Sequence, residues 1–200
     1  QAHADVALLY GDVELIDGDS RKIGEDRQGP FDFAAYLGRL QYIPQPGTFF
    51  RRSALRIASG WREEFSYAAD ADFWMRIAAK GRVVKLDRLL GRYRYHDEQR
   101  DTQRARIARD WEGAVRDLLA ADCLDARHRR FAHMGIHLAR HRYLDEARWL
   151  ARTRELYAAA LANPSAMLHR SFPKRELFPG RGPLWSAMSR VKRLLGLRPR

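Results

Sequence analysis

The sequence has one cysteine, five lysines among its 37 basic residues, and no apolar run long enough to cross a bilayer. A single thiol, Cys123, excludes both an intramolecular disulfide framework and a multi-cysteine zinc site. A membrane span needs about 20 predominantly apolar residues, and a signal peptide needs a basic stretch followed by an apolar one. Neither pattern is visible here. The cysteine usage therefore favours a cytoplasmic setting.

Charge is distributed unevenly along the 200 residues, whose formal net charge is +12. Residues 1–100 carry 16 basic and 15 acidic side chains (+1), whereas residues 101–200 carry 21 and 10 (+11). A hydrophobic content of 46% is ordinary for a packed domain, so the chain as a whole is not disordered. Basic charge suits a nucleic-acid partner, but no helix-turn-helix, zinc-finger or ribonucleoprotein motif accompanies it, which disfavours that class.

Short apolar runs separated by turn residues predict an α/β order for residues 1–100. The second run ends in Asp17-Gly18-Asp19-Ser20, a composition typical of a hairpin turn. Asp70 stands where an N-cap would begin a helix, and Gly81 stands where a C′ residue would end it. The predicted strands cover residues 6–10, 13–16, 47–52, 83–86 and 89–95, and the predicted helices cover 31–40 and 70–81.

The second half of the chain has a different composition. Residues 101–162 are rich in Ala, Arg and Leu, and breaks near 122–125 and 142–144 predict about three helices. Residues 163–183 contain four prolines and two glycines and are predicted to form an irregular linker. Residues 184–200 place apolar and basic side chains on different faces, which predicts a basic amphipathic helix.

Several short stretches occur in a fixed order in the first hundred residues. They are Leu8-Leu-Tyr-Gly-Asp12 with Ile16-Asp17-Gly18, Pro44-Gln-Pro-Gly-Thr-Phe-Phe-Arg-Arg52, Gly60-Trp61, Asp70-Ala-Asp-Phe-Trp-Met-Arg-Ile77 and Tyr93-Arg-Tyr-His96. In order and spacing they resemble the second half of a family 2 glycosyltransferase of the GT-A fold, over about half of the chain. The resemblance implies a partial GT-A mixed sheet with helices, and an inverting, hexosyltransferase-type activity that moves a sugar from a nucleotide-diphosphate sugar to an acceptor hydroxyl.

Asp70 is the candidate catalytic residue. The resemblance implies that it is the general base, and the chemistry agrees, because an acceptor hydroxyl is a poor nucleophile until a positioned carboxylate takes its proton. Asp is also among the best N-cap residues, so capping is the structural alternative. A helix N-terminus keeps the carboxylate ionised at neutral pH, and the two roles can coexist.

Four further residues receive roles from the resemblance. Asp72 and Gln45 would bind the acceptor, although Asp72 could equally interact only with the helix dipole. Arg94 could contact the donor phosphates through its guanidinium. His96 would ligate a divalent metal, Mn²⁺ or Mg²⁺, at the donor diphosphate; a neutral imidazole suits Mn²⁺, and a surface histidine at a strand end is the alternative.

The donor-binding half of such an enzyme is expected to be missing. The family's metal-binding Asp-x-Asp precedes the Tyr-Gly-Asp strand, and only nine residues precede Tyr10 here. Asp17-Gly18-Asp19 matches the Asp-x-Asp pattern but lies in a predicted turn after that strand. The first residue is Gln1, so we expect a fragment or processed chain, and we expect the isolated chain to be inactive because it cannot orient a donor.

The basic C-terminal segment suggests where the protein acts. Residues 164–200 carry nine basic residues and one acid, and basic residues near anionic lipid contribute about 1 kcal/mol each. Peripheral attachment through residues 184–200 to the inner face of a bacterial membrane would fit a glycan or lipid-linked acceptor in cell-surface glycan synthesis. Alternatively, the segment packs on the domain. The competing function is a non-catalytic basic module that binds anionic membrane or nucleic acid.

Overall fold

A four-stranded mixed sheet, with helices packed against it, forms the first part of the protein in a computed structural model that describes residues 5–95, 103–144 and 148–177. The central strand, β1, pairs antiparallel with both β2 and β3 and parallel with β4. Because β4 follows β1 along its whole length, β2 and β3 share the other edge. This confirms a mixed α/β class. The strands are β1 (Val6–Ile16), β2 (Lys22–Asp26), β3 (Thr48–Phe50) and β4 (Arg82–Arg94).

Strand β1 is continuous where separate strands were predicted at residues 6–10 and 13–16, and β4 is continuous where they were predicted at 83–86 and 89–95. The two predicted breaks are therefore wrong. Gly11 and Asp12 do not end β1. A Cβ at Gly11 would lie 2.5 Å from the main-chain oxygen of Arg88, so glycine allows β4 to approach closely. Asp12 is buried but satisfied, since Oδ1 accepts from the Gln28 amide at 3.0 Å and lies 3.2 Å from Lys85 Nζ. The register shifts opposite these two residues, and the strands continue past them.

The turn between β1 and β2 confirms the hairpin expected at residues 17–20. The Ser20 amide donates to the Asp17 carbonyl at 3.1 Å, and Ser20 adopts a positive φ of 66°. The Asp17 carboxylate accepts from the Arg21 amide at 2.8 Å, and Asp19 pairs with the Arg21 side chain at 2.8 Å. Both carboxylates of the Asp-Gly-Asp sequence are therefore engaged within the turn.

Seven helices occur among the described residues. Three of them confirm the three helices predicted between residues 101 and 162, with breaks where expected. None of the helices in the described ranges is both long and apolar enough to cross a membrane. The helices are α1 (Phe33–Leu37), α2 (Arg52–Ile57), α3 (Ala69–Ala78), α4 (Arg104–Ala120), α5 (Ala126–Tyr143), α6 (Trp149–Ala162) and α7 (Lys174–Leu177), with 3-10 turns at Gln45–Gly47, Glu63–Phe65 and Pro164–Leu168.

Helix α3 begins two residues earlier than its capping pattern predicts. Ala68 is the N-cap, and Asp70 lies in the first turn, so the prediction that Asp70 caps the helix is wrong. The Ala68 carbonyl accepts from the Asp72 amide at 2.9 Å, which starts the helical hydrogen-bond series before Asp70 could. Phe73 and Trp74 of this helix are buried in the core.

The strand-rich and helical halves share one apolar core. Leu8 of β1, Phe73 of α3, Trp111 of α4 and Ile136 of α5 are buried in the same cluster. The described part of the predicted linker, residues 163–177, is also packed, because Phe172 is buried in a second cluster formed with α5 and α6. Residues 184–200, with the predicted amphipathic helix, lie outside the described residues.

Helix α1 is capped by Asp32, which yields a first prediction. Its Oδ1 accepts from the Ala34 amide at 2.8 Å, and its Oδ2 lies 2.6 Å from Arg127 on α5. We expect Asp32→Ala to lower the free energy of unfolding by about 1 to 2 kcal/mol at pH 7, the usual cost of a lost N-cap. Urea denaturation of both chains measures it.

The pH dependence of that difference provides the control. Burial alone would raise the pKa of Asp32, but hydrogen bonds from Arg127 and from the amides of Ala35 and Ala34 hold it below the usual 3.8. A lowered pKa stabilises the fold above the unfolded-state value and loses that contribution as the pH falls through the folded-state value. The difference between wild type and variant should therefore shrink below about pH 4. A difference that is constant from pH 7 to pH 3 would contradict it.

Candidate functional site

A cleft of about 1250 Å³ lies between the carboxyl ends of β1 and β4 and helices α4 and α5. Residues from both halves of the chain line it, so neither half forms it alone. Asp70 and Gln45, two of the sequence-predicted site residues, face this same cleft. Its walls are rich in aromatic and arginine side chains, including Tyr36, Trp61, Tyr93, Tyr95, Trp111 and Tyr143 with Arg27, Arg39, Arg62, Arg142 and Arg170.

Asp70 reaches the cleft from the first turn of α3. Its side chain is half-buried, and its Oδ1 accepts from the Ala71 amide at 2.8 Å. The positive end of the helix dipole favours the ionised carboxylate, which is the form that can accept a proton. The geometry therefore places a carboxylate at the surface of a cavity large enough for sugar rings.

Gln45 is exposed in the 3-10 turn that precedes β3. Prolines on both sides of it restrict the backbone of this turn. The turn lies directly against β4, because a Cβ at Gly91 would be 2.3 Å from the main-chain oxygen of Pro46. A glycine at position 91 is thus what permits the turn to hold Gln45 beside the cleft.

Asp72 does not line the cleft. It is completely buried, and its Oδ2 accepts from Arg76 Nη2 at 2.6 Å and from Arg62 Nε at 3.1 Å, while Oδ1 accepts from Arg62 Nη2. Arg62 itself lines the cleft. The structure therefore places Asp72 behind Arg62 as the group that positions this guanidinium, rather than beside Asp70 at the acceptor.

Arg94 is not among the residues that line the cleft. Arg94, near the end of β4, donates to the carbonyl oxygens of Asp17 and Gly18 at 2.9 and 2.7 Å and to Ser20 Oγ at 2.9 Å. Its guanidinium thus holds the β1–β2 turn. His96, the expected metal ligand, lies outside the described residues.

Tyr36 lines the same cleft as Asp70 and Arg39. Burial raises the pKa of its phenol well above 10, the charge of Asp70 raises it further, and the charge of Arg39 lowers it. The hydroxyl donates weakly to the Ala71 carbonyl oxygen at 3.4 Å. Tyr36 is therefore neutral at physiological pH and is close enough to feel both charges.

Two arginines in the cleft had no sequence signal. Arg39 follows α1 with a positive φ of 57°, and its guanidinium lies 4.3 Å from the ring centre of Trp111 and donates to the Tyr143 hydroxyl. Arg142 is at the end of α5, and burial together with the charge of Arg39 lowers its pKa to about 10. Arg39 and Tyr143 are 104 positions apart, so no local pattern connects α1 to α5.

The described residues contain no cluster of three or more His, Cys, Asp or Glu side chains arranged to hold a metal ion. Asp17 and Asp19, which have the spacing of a metal-binding pair, are held by Arg21 in their turn. The side chains of the described ranges therefore offer no ready set of ligands for a divalent cation.

Sequence comparisons found no protein-family model and no curated protein that matches this chain. What the protein does must therefore be inferred from the residues of the cleft and from the order of the sequence motifs.

Proposed function

We propose that this chain is the acceptor side of a GT-A glycosyltransferase, which transfers a sugar from a nucleotide-diphosphate sugar to a hydroxyl of a glycan or lipid-linked acceptor in bacterial cell-surface glycan synthesis. The observation that supports it is the meeting of Asp70 and Gln45 in one large cleft. These residues come from two separate motifs of the sequence resemblance, and nothing in their local sequence requires them to share a cavity.

The chemistry assigns Asp70 the role of general base. As the acceptor oxygen attacks the anomeric carbon of the donor, its proton passes to the Asp70 carboxylate, and the bond from that carbon to the diphosphate oxygen breaks with its electron pair. The nucleoside diphosphate leaves and the anomeric configuration inverts. Gln45 can donate to and accept from sugar hydroxyls, and exposed rings such as Trp61 and Tyr95 can cover apolar sugar faces.

Other parts of the proposal lie outside the described residues. A divalent metal, Mn²⁺ or Mg²⁺, would supply charge stabilisation at the donor diphosphate, with His96 as an expected ligand. Contact with anionic lipid would involve residues 184–200. Asp70, by contrast, lies among the described residues of the cleft.

Asp70→Asn in the complete gene product tests the assignment. We expect the rate of transfer to fall by about 10²- to 10⁴-fold, because an amide cannot accept the proton, while the thermal midpoint changes little. The measurement is release of nucleoside diphosphate from a set of nucleotide sugars in the presence of cell-derived acceptors. Asp117→Asn is the matched control, since it makes the same change at an exposed position. A variant at position 70 that keeps wild-type activity would contradict the assignment.

A further inference from the structure

The cleft contains arginines that form no ion pair within the described ranges: Arg39, Arg142 and Arg170. Two other arginines in its wall are paired. Arg62 pairs with Asp72 and with Asp117 at 2.7 Å, and Arg27 pairs with Glu25 at 2.7 Å. The Nε of Arg39 is buried and has no hydrogen-bond partner among the described residues.

This arrangement is unfavourable for the protein alone. Buried polar groups are normally hydrogen-bonded, and two like charges held together in a partly desolvated site repel each other. Burial in the cleft and the charge of Arg39 lower the pKa of Arg142, and the charges of Tyr143 and Glu176 offset this only in part. Such a cost is expected at a site where a ligand supplies the missing charge.

Asp70, Tyr36 and Arg39 all line this cleft, so it holds both a negative and a positive charge. Both charges reach the Tyr36 phenol, whose pKa Asp70 raises and Arg39 lowers. A substrate with a reacting hydroxyl beside Asp70 can therefore reach Arg39 within the same cavity. The positive charge of Arg39 favours an anionic group on that substrate.

We propose that Arg39 and Arg142 bind a phosphate-type oxyanion carried by the acceptor whose hydroxyl faces Asp70. Guanidinium groups bind phosphate oxygens through paired, charge-assisted hydrogen bonds, and the rings of Trp111 and Tyr143 hold Arg39 in place for this contact. The identity of the acceptor rests on the proposed function, whereas binding of the anion does not. A sugar phosphate is the chemical class that satisfies both ends of the cleft.

Calorimetric titration of the 200-residue chain tests the site with four probes: glucose 1-phosphate, inorganic phosphate, uridine diphosphate and glucose. We expect saturable binding of glucose 1-phosphate, weaker binding of inorganic phosphate and the least binding of glucose. Arg142→Gln should weaken glucose 1-phosphate binding by about tenfold or more, the usual effect of losing charge-assisted hydrogen bonds. Arg130→Gln is the control, because it removes the same charge from a position of α5 that does not line the cleft.

A second variant, Arg39→Lys, separates geometry from charge. It keeps the positive charge but loses the planar fork, so it should also weaken binding, and a thermal melt of each variant shows that it is folded. Equal losses in Arg142→Gln and Arg130→Gln, or no saturable binding of either phosphate, would overturn the site. Tightest binding of uridine diphosphate, lost in Arg142→Gln, would assign these arginines to the donor and overturn the acceptor assignment.

The anion site and the proposed transferase function can be tested, and can fail, independently of each other. If Asp70→Asn leaves transfer unchanged while the wild-type chain still binds glucose 1-phosphate through Arg142, the anion site stands and the role of Asp70 is wrong. If transfer depends on Asp70 but phosphate does not bind, the transferase stands and the anionic acceptor is wrong.

Discussion

Replacing Asp72 by asparagine should lower the free energy of unfolding by about 3 to 5 kcal/mol, the usual cost of removing one partner from a buried ion pair. The carboxylate is buried and is the common partner of Arg62 and Arg76. Asparagine cannot neutralise two guanidinium groups, and its amide nitrogen would donate towards groups that are themselves donors. Arg76 would then keep its burial without a counter-charge, and Arg62 would keep only the exposed Asp117.

Urea denaturation at pH 7 measures this effect, with Asp117→Asn as the matched control. Asp117 also pairs with Arg62, at 2.7 Å, but its side chain is 55% exposed. An exposed pair contributes about 0 to 1 kcal/mol, so the control should be nearly neutral. Similar losses in the two variants would show that Asp72 does not hold this cluster together.

A methyl group at Gly135 should be nearly as damaging. This glycine of α5 lies where a Cβ would be 1.9 Å from the main-chain oxygen of Leu37, at the end of α1. The contact is with backbone, so no side chain can rotate away from it. Alanine would otherwise favour the helix by about 1 kcal/mol, but separating the two helices should outweigh that gain and destabilise the fold by about 3 kcal/mol.

Gly113→Ala is the control for this variant. It makes the same substitution inside α4, but the nearest atom is Cε1 of the Phe65 ring at 2.6 Å, which belongs to a side chain that can shift. We expect a smaller loss of stability, measured by urea denaturation of both variants. Because Arg39 directly follows the α1 contact, Gly135→Ala should also weaken phosphate binding. Equal stability of the two variants would contradict the importance of this helix contact.

The sequence predicted elements well where local composition and packing agree. Helices α4, α5 and α6 follow from a run rich in Ala, Arg and Leu, and the turn after β1 follows from its Asp and Gly residues. The sequence-based prediction was wrong at Gly11 and Asp12, because these two residue types are typical of the end of a strand. The ion pair that keeps Asp12 inside the sheet comes from Lys85, 73 positions further along the chain, and such a partner is invisible to local patterns.

The cleft was predictable only in part, for the same reason. Asp70 and Gln45 were singled out by motifs that resemble a known family, and the structure brings them to one cavity. Asp72 belongs to the same motif but points into the protein. Arg39 and Arg142 become neighbours only through the packing of α1 against α5, and separate positions in a sequence contain no signal for such a contact.

The parallel pairing of β1 with β4 affects how the chain is synthesised. Val6 pairs with Arg82, so a ribosome that has released β1 must add most of the first hundred residues before its long partner is available. During that time one edge of an apolar strand has no β4 to cover it, a state that exposes nascent chains to aggregation. Contacts between distant residues also slow folding. Chaperone capture during translation should therefore matter more for this chain than for a helical protein of the same length.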